Sequence, residues 1–299
     1  RAGFAIFTGS KNAIWSDRNY AKFADEAYRR NVVAYQAINK LAMAVAHIPW
    51  SLKTPSGEEV INNPMLTLIE NPNPLQSRVE LMQALVGFYQ IAGNSYIEKT
   101  TNGDGQPLEL FVHRPDRMTI KVGRSGFPNQ FIYNVDGEKV KWDADEITGK
   151  SDIRHIKTFN PLNDVYGMSP IEAGAYSIDQ HNEAMSWLQS LLQNSAAPSG
   201  VLESKNEISD DNYNRMKAEL DEKYSGSRNA GRPLLLEGDM SWKAMGLSPQ
   251  SMNIIENKYS SARDISLALG VPPLLLNIPG DSTYSNYKEA RLAFYEESV

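Results

Sequence analysis

At 299 residues, with 41% hydrophobic and 22% charged side chains, the chain is long enough for about two domains and too apolar for disorder. It has no cysteine, which excludes disulfides and thiolate metal sites, and no apolar run long enough to cross a membrane. Thirty basic residues against 36 acidic ones give a net charge of −6, with no cationic cluster beyond Arg29-Arg30, which argues against tight, site-specific DNA binding. The sequence opens on Arg1 without a signal-peptide pattern, so a fragment or processed form is expected.

In "NVVAYQAINKLAMAVAHI" (31–48), Ala34, Ile38, Leu41, Val45 and Ile48 fall at helical spacing, and Pro49 ends the run. "SRVELMQALVGFYQIAG" (77–93) predicts a second helix. Ser77 and Glu80 have capping-box spacing, and Gly93 suits a left-handed C-terminal position. Between 94 and 159 the texture becomes β-branched and aromatic. "SYIEKT", "PLELFVH", "RMTIKV", "QFIYNV", "EKVKW" and "DIRHIKTF" are split by turns such as Asn102-Gly103 and Asp136-Gly137, and predict antiparallel strands. Helix returns at "GMSPIEAGAYSIDQHNEAMSWLQSLLQNSA", with Ser169 as cap and Pro170 as first helical residue.

The extended piece "PSGVLE" precedes a charged helix capped by Ser209 and closed by Gly226. Its apolar residues Tyr213, Met216, Leu220 and Tyr224 form only a narrow stripe. "GSRNAGRPLLLEGDMSWKAMG" (226–246) predicts a loop and two strands. Ser248-Pro249 is expected to open a helix reaching about Leu269, roughly 30 Å long, with Ile255, Tyr259, Ala262, Ile265 and Leu269 on one side. The apolar loop "VPPLLLNIPGDST" and a last helix complete the chain. The order implies an α+β protein in two parts. The helices of the second part have stripes too narrow to bury much surface alone, so they are expected to find cover on neighbouring subunits.

No chemistry-bearing constellation emerges. His47, His113, His155 and His181 lack metal-ligand spacing; only His113 and His155, on predicted strands, could meet, and a structural role is expected for all four. "GSRNAGRP" has the glycine spacing of a phosphate loop but carries Arg232-Pro233 where Lys and Ser/Thr are needed. "GMSPI" lacks the closing glycine of a nucleophile elbow, and "DADE" (143–146) is not followed by the glycine and terminal glutamate of a calcium loop. Neither a cofactor nor a metal site is expected. A hydrolase built on Asp152 and His155 would lack a legible nucleophile, and a third reading is an oligomeric adaptor that handles no DNA.

Eight short motifs, each weak alone, occur in an order that resembles the portal proteins of tailed double-stranded-DNA bacteriophages, in the lambda-like, long-tailed branch, free or prophage-encoded. They are "NPNP" (71–74), "AGNSYIE" (92–98), "RHIKTF" (154–159), "YGMSPIEAG" (166–174), "NSAAPSGVL" (194–202), "GSRNAGRPLLLEG" (226–238), "ALGVPPLLL" (268–276) and "TYSNYKEARLAFYEESV" (283–299).

The resemblance implies a non-enzymatic ring, usually of twelve copies, in the virion at one capsid vertex and assembled in the host cytoplasm. The terminase large subunit drives double-stranded DNA through the bore, and the DNA later leaves by it. Major capsid, scaffolding and head-completion or adaptor proteins are the further partners, and no membrane is involved. By the same resemblance, residues 1–205 correspond to the wing, 206–225 to the outer stem helix, 226–247 to the clip, 248–270 to the inner stem helix, 271–284 to the tunnel loop and 285–299 to the start of the long wing helix. The family's crown has no counterpart in this sequence.

Clip residues expected to meet terminase or adaptors are Arg228, Asn229, Arg232, Glu237, Asp239, Trp242 and Lys243. Those expected at the channel are Asn277, Ile278, Pro279, Gly280, Asp281, Ser282, Thr283 and Tyr284. Leu274 to Leu276 fit either packing on neighbouring copies or a buried connection between helices. A wall with few basic groups also suits a conduit, because each phosphate contact would add salt-dependent grip.

Overall fold

The computed structural model describes residues 19–124, 126–193, 200–204, 209–224, 240–244, 253–279 and 284–299. Asn19 caps a short helix, α1 (Tyr20–Lys22), which continues as a π-helical segment, Phe23–Arg29. Asn31 then caps α2 (Val32–Ala46), its side-chain oxygen accepting from the Val33 and Ala34 amides at 3.1 and 3.0 Å. The short α3 (Pro64–Glu70), which the periodicity did not reveal, begins with proline at its first turn behind an Asn63 cap. In α4 (Arg78–Ala92) the expected capping box of Ser77 and Glu80 forms, and Gly93 closes the helix at φ 69°.

Six strands follow: β1 (Asn94–Thr101), β2 (Pro107–His113), β3 (Met118–Val122), β4 (Pro128–Val135), β5 (Glu138–Asp143) and β6 (Ile153–Lys157). They make two antiparallel sheets, ordered β2-β1-β6 and β3-β4-β5. Tyr96 and Ile153 of the first sheet pack with Met118, Ile120 and Phe131 of the second into a small core of their own. Four helical and strand elements then alternate: α5 (Pro170–Gln193), β7 (Gly200–Ser204), α6 (Asp210–Tyr224) and β8 (Met240–Ala244). The chain returns through α7 (Ile254–Ala268), a 3-10 turn at Pro273–Leu276 and α8 (Tyr284–Glu297).

The chain divides into two compact units, one of Arg1–Asp179 with Ala262–Val299 and one of Gln180–Ser261. The main core lies in the first. Ala34, Ala37, Ile38 and Leu41 form one face of α2, and its small residues let Ile91, Ile171, Ile178, Ile265, Leu269 and Phe294 approach closely. In the second unit β7 pairs antiparallel with β8. The strand expected at the end of the wing therefore shares a sheet with the strand expected in the clip.

Three sequence expectations change. Helix α7 begins at Ile254, because Asn253 stands at φ 48°, a left-handed conformation that a helix does not run through, and the expected opening at Ser248-Pro249 lies outside the described residues. Its buried stripe begins with Ile254, and Ile255 is exposed, a shift of one position. On α2, Ile48 lies beyond the helix end and is likewise exposed.

Candidate functional site

The loop between α7 and α8 is built by two successive chain-reversing caps. At the end of α7 the Gly270 amide donates to the Leu267 carbonyl (3.1 Å) and the Val271 amide to that of Ser266 (3.0 Å), with Gly270 at φ 67°. This is a Schellman closure, and Val271 completes it by being buried. Pro272 and Pro273 then set the backbone for one 3-10 turn, which the Asn277 residue ends in the left-handed region at φ 56°. The Ile278 amide reaches back to the Pro273 carbonyl at 3.2 Å, and the Arg263 guanidinium of α7 donates to the Pro279 carbonyl. On the other side, the Ser298 hydroxyl donates to the Gly270 carbonyl at 2.6 Å.

Burial within this loop is selective. Leu275 is 5% exposed and sits with Val271 in the main core beside Phe294. Leu276 packs against that core at its edge, so the leucine run makes a connection buried within one subunit. Ile278 is 8% exposed, which corrects its placement among channel-facing residues: its side chain is consumed by packing. Asn277 and Pro279 are exposed. Tyr284 is the first residue of α8 rather than part of the loop. Gly280, Asp281, Ser282 and Thr283 lie outside the described residues.

Of the residues expected in the clip, Trp242 and Lys243 stand in β8 opposite Leu202 and Val201. Arg228, Asn229, Arg232, Glu237 and Asp239 lie outside the described residues, as does the phosphate-loop look-alike. On α6, Tyr213 is 59% exposed and Met216 only half-buried, so the narrow apolar stripe is not covered at those positions.

The residues with catalytic side-chain chemistry have structural partners. His113 and His155 flank Tyr96 from opposite neighbouring strands. The His113 Nε2 meets the Glu98 carboxylate at 2.7 Å, and the Trp142 indole donates to the other oxygen of that carboxylate at 3.1 Å. His155 stacks on Tyr96, ring centroids 4.5 Å apart, with its Nε2 3.0 Å from the Asn94 amide oxygen. Burial pushes the His155 pKa down to about 4, and Lys157 adds to the effect. Burial, and then Lys258, also lower that of His181. Asp152, which precedes β6, pairs instead with Lys99 at 3.7 Å. Ser169 is buried, donates to the Ile91 carbonyl at 2.7 Å and caps α5 through the Ile171 amide at 3.1 Å. Asp145 accepts from the Ile147 and Thr148 amides at 2.8 and 2.7 Å, which makes "DADE" a turn. Among the described residues no cluster of His, Asp and Glu is arranged to hold a metal, and no helix is long and apolar enough to cross a membrane.

The family model for phage portal proteins matches residues 32–299. The chain belongs to the phage portal protein family. This is a structural family, and its function is that of a portal ring at a capsid vertex. The portal chain is 40% identical over 278 residues to an uncharacterized protein of Rickettsia bellii, covering 92% of this chain and 71% of that one. It is 22% identical to the portal protein of Enterobacteria phage HK97 over 242 residues, 80% of this chain and 55% of the relative. Among solved structures, a chain of the native gene transfer agent virion is 39% identical, with a TM-score of 0.70 over 97% of this chain and 79% of its own length. The crystal structure of an HK97 family phage portal protein from Corynebacterium diphtheriae shares the fold, with a TM-score of 0.61 at 15% identity over 88% of this chain and 81% of that chain.

Proposed function

We propose that twelve copies of this chain close into the ring, that duplex DNA passes through its bore, and that the clip receives the terminase large subunit during packaging and head-completion proteins afterwards. Capsid and scaffolding proteins surround it, and assembly takes place in the host cytoplasm. The observation that carries the subunit number is the match, at 39% identity and a TM-score of 0.69 over 97% of this chain, to a chain in the neck of the native gene transfer agent particle computed with C12 symmetry. The half-covered stripe of α6 supports the same reading, since a helix with so little burial of its own gains stability from a neighbour. The alternative hydrolase loses its pair, because Asp152 and His155 face different partners.

The channel tip, on this reading, is residues 280–283, held between the anchored Pro279 and the start of α8. The test is direct imaging of the purified protein together with native mass spectrometry. Closed rings with an axial hole are expected, and a stable monomer in the full-length gene product would overturn the proposal. Shortening 280–283 should leave rings intact and impair packaging or DNA retention, and normal DNA-filled heads would refute the tip's role.

A further inference from the structure

The first unit carries a concave surface and a convex one, each bearing apolar side chains. The concave one is a groove of about 470 Å³ between α2 and α8, floored by Leu275 and Phe294 and walled by Lys40, Met43, Tyr287 and Arg291. Arg291 and Lys40 make it cationic, and no carboxylate lines it. The convex one is the loop from Thr158 to Gly167, which exposes Phe159 (86%) and Leu162 (94%) beside the exposed Asp164.

That loop holds its apolar residues outward by construction. The Thr158 amide donates to the Gly93 carbonyl at 2.9 Å, and the Tyr166 hydroxyl accepts from the Ile120 amide at 2.9 Å, so both ends are pinned. Between them, Asn160 accepts from the Leu162 amide (2.9 Å), Asn163 accepts from the Val165 and Tyr166 amides, and the Lys157 ammonium donates to the Asp164 and Val165 carbonyls. Two large apolar side chains fixed in water by an internally bonded loop are an unmet binding surface.

We infer that Phe159 and Leu162 of one copy enter the α2–α8 groove of the next, with Asp164 opposite Lys40 and Arg291, as the centre of the subunit contact. The inference rests on the ring reading and specifies its geometry. Two different patches on each copy make a head-to-tail interface, the kind that propagates into a ring, whereas a self-complementary patch would stop at a dimer. In this orientation Asp164, the one carboxylate of the loop, faces Lys40 and Arg291, and the aromatic and aliphatic side chains in the groove supply the desolvated centre around which a wider contact forms. The floor is also the underside of the tunnel loop, because Leu275 belongs to both. Seating a neighbour there would therefore brace the loop that faces the bore.

Head-to-tail polarity gives a test in two parts on the full-length chain. A knob variant, Leu162→Lys with Asp164→Lys, and a groove variant, Gln36→Lys with Met43→Lys, should each keep the far-ultraviolet circular dichroism of the parent and remain monomeric by native mass spectrometry, and their two altered surfaces, both cationic, cannot pair with each other. Mixed in equal amounts they should form dimers and nothing larger, since only one knob and one groove of each pair survive. Rings from either variant, or a mixture that stays monomeric, would overturn the contact while leaving the ring itself standing. Parent protein that never assembles would instead overturn the ring reading.

The second part uses the absence of native cysteine. Met43→Cys combined with Leu162→Cys should give an oxidised ladder of covalent oligomers on non-reducing gels, and each single variant should not. A double variant that assembles without laddering would place the contact elsewhere.

Discussion

His155 illustrates how a residue with catalytic chemistry is committed to structure. Its ring is stacked on Tyr96 and its folded pKa is held at about 4, against the ordinary 6.5. The unfolded chain therefore takes up a proton near pH 6.5 that the folded chain refuses until about pH 4. The stability this neutral ring contributes is complete above pH 6.5 and falls as pH drops towards 4, by up to ~1.4 kcal/mol per unit. Urea denaturation at pH 7 and pH 4.5 should show a smaller pH loss in His155→Phe than in the parent; His181, shifted the same way, remains in both. An equal loss in the two proteins would place the effect elsewhere. Gly167 serves close approach rather than turning: a Cβ there would stand 2.0 Å from the Gly93 carbonyl oxygen. Gly167→Ala should lower stability by about 2–4 kcal/mol, measured by the same denaturation, because the opposing atom is backbone and cannot swing aside.

At the scale of elements, the α7–α8 connection shows why an apolar loop need not be an exposed one. Its hydrophobic residues are divided between a cap that ends one helix and a turn that plugs the core beneath the next. Leu275→Ala empties a filled site and should cost about 2–5 kcal/mol, whereas Leu274→Ala, at a half-buried position, should cost clearly less. Thermal unfolding of both variants checks the difference, and equal destabilisation would count against the plug. Leu275 also floors the α2–α8 groove, so its truncation should weaken assembly more than its stability loss alone explains. The helix caps, the turns that separate the strands and the left-handed glycine at 93 were legible in the sequence, because each depends on residues a few positions apart. Both α3 and the late start of α7 were not. The first is too short for a periodic signal, and the second depends on Asn253 adopting an uncommon backbone conformation.

For the whole molecule, the net charge of −6 and the scattered cations suit a conduit. Purified rings should not retain linear duplex DNA in gel-shift experiments at physiological salt. Retention with a steep salt dependence would show phosphate contacts that this composition does not lead one to expect. Portal identity rests on similarity spread over residues 32–299, whereas the residues proposed for the clip and the channel tip lie largely outside the described ones. Clip function is consequently a matter for variants: Arg228→Glu or Trp242→Ala should impair terminase docking more than folding, and unchanged packaging in both would count against that assignment.

By itself the sequence determined where most elements begin and end, the antiparallel texture of residues 94–159, the absence of thiol chemistry, and, through its ordered motifs, the portal resemblance. Those features are local, or they add up along the chain. Only the tertiary structure decided that Ile278 is buried, that Leu275 belongs to its own subunit's core, that β7 is paired with β8, and that Asp152 and His155 part company. Each of those depends on contacts between residues distant in sequence, whose geometry no periodicity encodes. Phe159 and Leu162 make the same point in reverse: they read as ordinary apolar residues until the fold pins their loop and leaves them in water.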